Sequence, residues 1–118
     1  MSSAKEKDNF PSSPDAEGFY FESSDDAEMG VMTRKYENGN LVKRVIDKDG
    51  KVFIVRELSG RDQKHITRFA DGEKEKVVLA GLTVATTVDG KPETFEYFEG
   101  MKMKFLNKLV YAHTELNF

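Results

Sequence analysis

The stretch Lys51-Val52-Phe53-Ile54-Val55-Arg56-Glu57-Leu58-Ser59-Gly60-Arg61-Asp62 decides the fold. Val52 to Val55 are four consecutive β-branched or aromatic residues, which predicts a strand covered on both faces. At Leu58 the period changes. Ser59 followed by Asp62 is an acidic variant of the capping box. Ile66, Phe69 and Ala70 then recur at i, i+3 and i+4, one face of a helix that Asp71-Gly72 ends or kinks.

Upstream of this stretch lie two more extended segments, Val31 to Tyr36 and Leu41 to Ile46, at a spacing of ten residues. Between the segments stand Glu37-Asn38-Gly39-Asn40 and Asp47-Lys48-Asp49-Gly50. Asn-Gly and Asp-Gly supply the positive φ that hairpin turns require. Downstream, Glu73 to about Thr86 predicts a second helix with a broad apolar face. Gly81 falls in its middle, where glycine costs about 1 kcal/mol against alanine. Close approach of another element is the expected compensation. Thr86 to Pro92 reads as a loop.

A third helix runs from Thr94 towards Leu116, and Gly100 is a possible break. Its stripe is Phe95, Phe98, Met101, Phe105, Leu109, Ala112 and Leu116, stepping by three or four as a helix demands. The expected architecture is α+β: an N-terminal antiparallel β-meander of two to three strands, then a bundle of about three helices.

The first 30 residues differ from the rest. They hold two lysines and eight acids, a charge of −6, and contain no Val, Ile or Leu. Residues 31–118 hold sixteen basic and thirteen acidic residues, a charge of +3. A segment without branched aliphatics buries little apolar area to offset its chain entropy. Residues 1–29 are therefore expected to form a disordered acidic tail, and residues 30–118 a single α+β domain. Phe19, Tyr20 and Phe21 interrupt the tail. They read either as an exposed bump or as a docking motif, including docking of the acidic tail back onto the basic body.

Composition excludes much chemistry. The chain has 118 residues, no Cys and a net charge of −3. A disulfide framework, a thiolate site and a Cys nucleophile are excluded. No apolar run approaches the roughly 18 residues that span a bilayer, and Met1 to Phe10 does not read as a secretory signal. A cytoplasmic protein is expected. The glycines form no phosphate-binding spacing. His65 and His113 are far apart, and no third group joins them in a metal or triad pattern. His113 is expected on a helix flank. Asp47 and Asp49 resemble half a calcium loop, but Leu58 stands where the bidentate Glu belongs. No catalytic residue, metal or cofactor is expected.

Arg34, Lys35, Lys43, Arg44, Lys48 and Lys51 lie along the meander. They read as guards against edge aggregation. The alternative is a row for phosphates, which would make a small nucleic-acid-binding or regulatory protein. A body charge of only +3 disfavours that.

The order of features resembles a known group. Val52 to Arg61, with Arg56-Glu57-Leu58-Ser59-Gly60-Arg61, resembles the strand-to-helix opening of small tail assembly chaperones of long-tailed bacteriophages and prophages. Leu79-Ala80-Gly81-Leu82, Thr86-Thr87-Val88-Asp89-Gly90-Lys91-Pro92, Thr94-Phe95-Glu96-Tyr97-Phe98 and the end Ala112 to Asn117 follow in similar order. The likeness covers about residues 41–118, and the acidic tail departs from it. The resemblance implies a non-enzymatic, self-associating protein in the bacterial host cytoplasm. It would bind the helical tape measure protein and keep it soluble while tail tube subunits polymerise around it. Helix-in-groove binding uses anchors at three-to-four spacing. Candidates here are Phe95, Tyr97, Phe98, Met101, Met103, Phe105 and Leu109, although most of that stripe is better explained as core.

Overall fold

A computed structural model describes residues 9–118. The meander begins as the turn chemistry requires. β1 (Met32–Lys35), β2 (Leu41–Ile46) and β3 (Val52–Arg56) pair antiparallel. Gly39 and Gly50 sit at φ of 90° and 85° and close equivalent turns. In each, the glycine N–H donates back three residues, to Tyr36 O and Asp47 O. Asn38 and Asp47 side chains accept the backbone N–H groups of the same turns.

The sheet does not stop at three strands. β4 (Thr86–Val88) pairs with β3, and β5 (Lys91–Pro92) pairs with β4, giving five antiparallel strands in sequence order. The expected meander of two to three strands is corrected on this point, as is the expected loop over Thr86 to Pro92. Asp89 and Gly90 both take positive φ, 50° and 84°, the requirement of a tight two-residue hairpin. The two strands hold three and two residues, too few to show a period of two. Pro92 sits on the outer strand, where its missing N–H leaves no ladder position empty.

The helices also differ from the expected bundle of about three. Five α-helices occur among the described residues. α1 (Ser24–Met29) precedes the sheet. α2 (Gln63–Ala70) and α3 (Val77–Ala85) lie between β3 and β4. α4 (Phe95–Glu99) and α5 (Met103–Asn117) follow β5. The Ser59–Asp62 capping box forms and opens a short 3-10 turn ahead of α2. Asp71, in the left-handed region, ends α2. The third expected helix is divided at Gly100, and α5 restarts at Met103.

One hydrophobic core joins these layers. Val45, Phe53 and Val55 of the sheet meet Leu82 and Ala85 of α3, Phe98 of α4, and Leu109 and Ala112 of α5. A smaller cluster of Ile66, Ala70, Ala80 and Phe95 lies under α2. Among the described residues no helix is long and apolar enough to cross a membrane.

The expectation of a disordered tail is also corrected. Residues 1–8 of that segment lie outside the described residues. Residues 9–30 form a strap that wraps the β1 edge of the sheet. Tyr20 and Thr33 exchange backbone hydrogen bonds of 2.9 and 2.7 Å. Before that bridge, Asp15, Glu17 and Phe19 lie against Arg44; after it, Glu22 and Asp26 lie against Lys43. Arg44 and Lys43 are adjacent on β2, so their side chains leave opposite faces. The strap thus grips both faces. Ser23 caps α1, and Gly30 ends it in the left-handed conformation. Two anchors stand in for the missing aliphatics: Phe19, which is 6% exposed, and the charge complementarity on which the docking alternative rested.

Candidate protein-binding groove

Thr94 starts α4 by accepting the Tyr97 N–H at 3.1 Å. Gly100 and Met101 donate to Glu96 O and Phe98 O, which stops the helix. After this break α5 leaves in a new direction along the sheet. Phe98 is directed into the core, while Tyr97 packs on its ring edge-on, with centroids 5.3 Å apart. One turn into α5, Phe105 lies on Phe53 of β3, with centroids 5.0 Å apart and ring planes tilted by 56°.

Between this junction and the β2–β3 turn opens a groove of about 720 Å³. Phe53, Tyr97, Met101 and Phe105 supply its apolar wall, with Ile46 on the far lip. Lys48, Lys102, Lys104 and Lys108 surround it. Lys51 stands 6.0 Å from the Tyr97 ring centroid, close enough for a weak cation–π contact.

The structure divides the sequence candidates. Tyr97, Met101 and Phe105 line the groove. Phe95, Phe98 and Leu109 are buried in the core clusters. Met103 is 68% exposed and lies outside the groove lining. Ile46, Phe53 and the four lysines were missed. The strand apolar on both faces carried the signal for Phe53, but only the packing of α5 across β3 sets its buried ring beneath the groove.

Phe19, Tyr20 and Phe21 are engaged within the chain. The Phe19 ring lies under the Arg44 guanidinium, 4.2 Å from its carbon to the ring centroid. Tyr20 makes the β1 bridge, and the Phe21 N–H donates to Ser12 Oγ at 2.8 Å.

Two of the six meander cations are not edge guards, which corrects that reading for them. Lys43 and Arg44 occupy an inner strand and are buried. Lys43 Nζ donates to Thr33 Oγ1 at 2.8 Å and to Glu22 Oε1 at 2.9 Å, and it pairs with Glu115 at 3.1 Å and Asp26 at 3.5 Å. The Tyr111 hydroxyl donates to Asp26 Oδ1 at 2.6 Å. Burial disfavours the Lys43 charge, yet Glu22, Glu115 and Asp26 outweigh it and hold the ammonium above its ordinary value. Burial, with Asp26 beside it, raises the Glu115 carboxyl. The cluster joins the strap, β2 and the last turns of α5, the helix whose first turns border the groove.

His113 is not a flank residue. It is fully buried, and Asn117 Nδ2 lies 3.0 Å from its Nδ1. Asn117 also accepts the Leu58 N–H at 2.7 Å, tying the chain end to the β3–α2 junction. Burial lowers the His113 pKa.

No protein-family model, curated protein or solved structure matches the chain.

Proposed function

We propose that this protein works by binding, as a tail assembly chaperone of a long-tailed bacteriophage or prophage in the cytoplasm of the bacterial host. Its client is the tape measure protein, held soluble until tail tube subunits enclose it. The tube subunits and a second copy of the chain are further partners. The assignment to phage tails rests on the order of motifs from Arg56-Glu57-Leu58-Ser59-Gly60-Arg61 to the C-terminal helix.

The observation that supports a binding role is the groove at the α4–α5 break. A helical client presents large apolar side chains at three-to-four spacing, and such a face is accommodated by an apolar channel. Tyr97, Met101 and Phe105 meet that need, with Phe53 behind them. Met101 adapts its shape to varied client side chains. The second reading, nucleic-acid binding by the meander, loses Lys43 and Arg44, because both are buried in ion pairs.

Co-expression tests the proposal. The tape measure protein encoded beside this gene should be insoluble alone and soluble with the chain. The triple substitution Y97S/M101S/F105S should abolish the rescue. A client equally soluble alone would refute the chaperone reading.

A further inference from the structure

Lysines outnumber acids around the groove: Lys48, Lys102, Lys104 and Lys108 against Asp47 and Asp49. These lysines make no ion pair among the described residues, as is true of most of the chain's Lys and Arg; what sets them apart is that they gather round one apolar groove. The two acids offset part of this charge and leave the lysines in excess. The Asp47 carboxylate accepts the N–H groups of Asp49 and Lys51 within the turn, which fixes it on the β2–β3 side, away from the lysines of α5. α5 opens with no side-chain cap and no acid in its first turn. The positive end of its dipole therefore adds to the lysines rather than being neutralised. Cations stand where a helix start ordinarily carries acids, a local conflict that an anionic partner would relieve.

The floor narrows the choice of partner. Phe53, 1% exposed, is built fully into the core, and half-buried Phe105 covers it with its ring tilted by 56°. They offer no parallel platform on which successive bases could stack. Phe105, with half-buried Tyr97 and Met101, does offer a surface for aliphatic and aromatic side chains.

We propose that the groove takes an amphipathic helix whose apolar face is flanked by Glu and Asp. This rests on the groove being the client surface and adds the chemistry of the client. Apolar anchors would cover Tyr97, Met101 and Phe105, while flanking carboxylates reach Lys48 on one lip and Lys102, Lys104 and Lys108 on the other. Each exposed pair contributes little alone, but the surplus of lysines selects against a basic client.

Fluorescence anisotropy with three labelled peptides of about 18 residues, five helical turns, tests this. The peptides share one Leu/Phe face and carry Glu, Gln or Lys on both flanks. At low salt the Glu-flanked peptide should bind the full-length protein about tenfold more tightly than the Lys-flanked one. The gap should narrow as salt rises. The variant K102E/K104E/K108E should reverse the order, and salt dependence on the unaltered protein gives an independent reading. Equal binding of all three peptides would overturn the acidic-client proposal while leaving the groove as a binding surface. Tighter binding of the Lys-flanked peptide, or of a single-stranded oligonucleotide in preference to all three, would also overturn it. So would the absence of any peptide binding alongside intact rescue of the tape measure protein, which would place the client on another face.

Discussion

His113 Nε2 lies 3.0 Å from the position that a Cβ on Gly81 would occupy. The ring is fully buried, and its Nδ1 faces Asn117. α3 and α5 therefore approach one another at a glycine because an imidazole fills the space a methyl group would take. This accounts for the glycine that helix propensity opposes.

Gly81→Ala should consequently destabilise the fold despite its better helix propensity. The gain of about 1 kcal/mol from propensity is outweighed by overpacking of about 1–3 kcal/mol. A net loss of about 1 kcal/mol is expected in urea unfolding. In a His113→Ala background the same substitution should become neutral or stabilising, a coupling that a double-mutant cycle measures. Additive effects would show that the contact is not responsible.

Stability should depend on pH in two steps. His113 Nε2 is buried without a hydrogen-bond partner, and burial lowers the folded pKa below the ordinary 6.5. The unfolded chain then binds a proton first as the solution is acidified. Stability should be full above about pH 6.5 and fall below it. His113→Gln should remove this limb. Asp62 accepts both Arg56 nitrogens at 3.0 Å, and that contact foremost lowers its carboxyl from 3.8 to about 2. Its contribution is present above 3.8 and is lost as the pH falls towards 2. Asp62→Asn should flatten this second limb. Thermal melts across the acid range would show both, and a melting temperature constant from pH 7 to 5 would contradict the His113 assignment.

Lys43→Met should be among the costly substitutions. It keeps most of the side-chain volume but strands carboxylates. Glu22 and Glu115 reach solvent, whereas the Asp26 side chain is 1% exposed. Removing one partner of a buried pair costs roughly 3–5 kcal/mol, and a loss near the lower end is expected here. Adding Asp26→Asn should recover part of it. Limited proteolysis should then cut residues 13–22 faster, because Lys43 also holds the strap through Glu22. An unchanged cleavage rate would mean that Arg44 and Phe19 suffice to hold it.

The groove and core residues of one helical stripe should separate by experiment. Phe98→Ala removes a fully buried ring and should cost about 3–5 kcal/mol. Tyr97→Ser and Met101→Ser, at half-buried positions, should each cost about 1 kcal/mol. Only the latter two should impair client rescue at a temperature where all variants remain folded. Equal loss of rescue and stability in Tyr97→Ser would remove it from the binding surface.

Much of this organisation was legible in local patterns. The β2 and β3 strands, the Ser59–Asp62 cap, the end of α2 at Asp71 and the break at Gly100 all depend on residues within a few positions of one another. The β4–β5 hairpin was not legible. Val84-Ala85-Thr86-Thr87-Val88 continues the apolar run of α3, and only pairing of Val88 with Phe53 and of Thr86 with Val55 makes it a strand. The strap was half legible: its −6 against the body's +3 invited docking, but the absence of aliphatics argued for disorder.

The sequence by itself determined which segments extend, which coil and where they turn, because φ preference, capping and periodicity act over a few residues. It also put acids and aromatics, and no branched aliphatics, on the N-terminal segment, but did not decide between disorder and docking. The tertiary structure alone decided which face of the Phe95–Leu109 stripe became core and which became groove. A helical stripe is continuous in sequence, but Gly100 to Lys102 interrupt the helix, with Lys102 extended. Phe98 and Leu109 then meet the core while Tyr97, Met101 and Phe105 stay at its edge. The same packing brought Asp26, Lys43, Tyr111 and Glu115 together from the strap, the sheet and the last helix. Burial makes those charges select one another, and burial is a property of the assembled fold rather than of any segment.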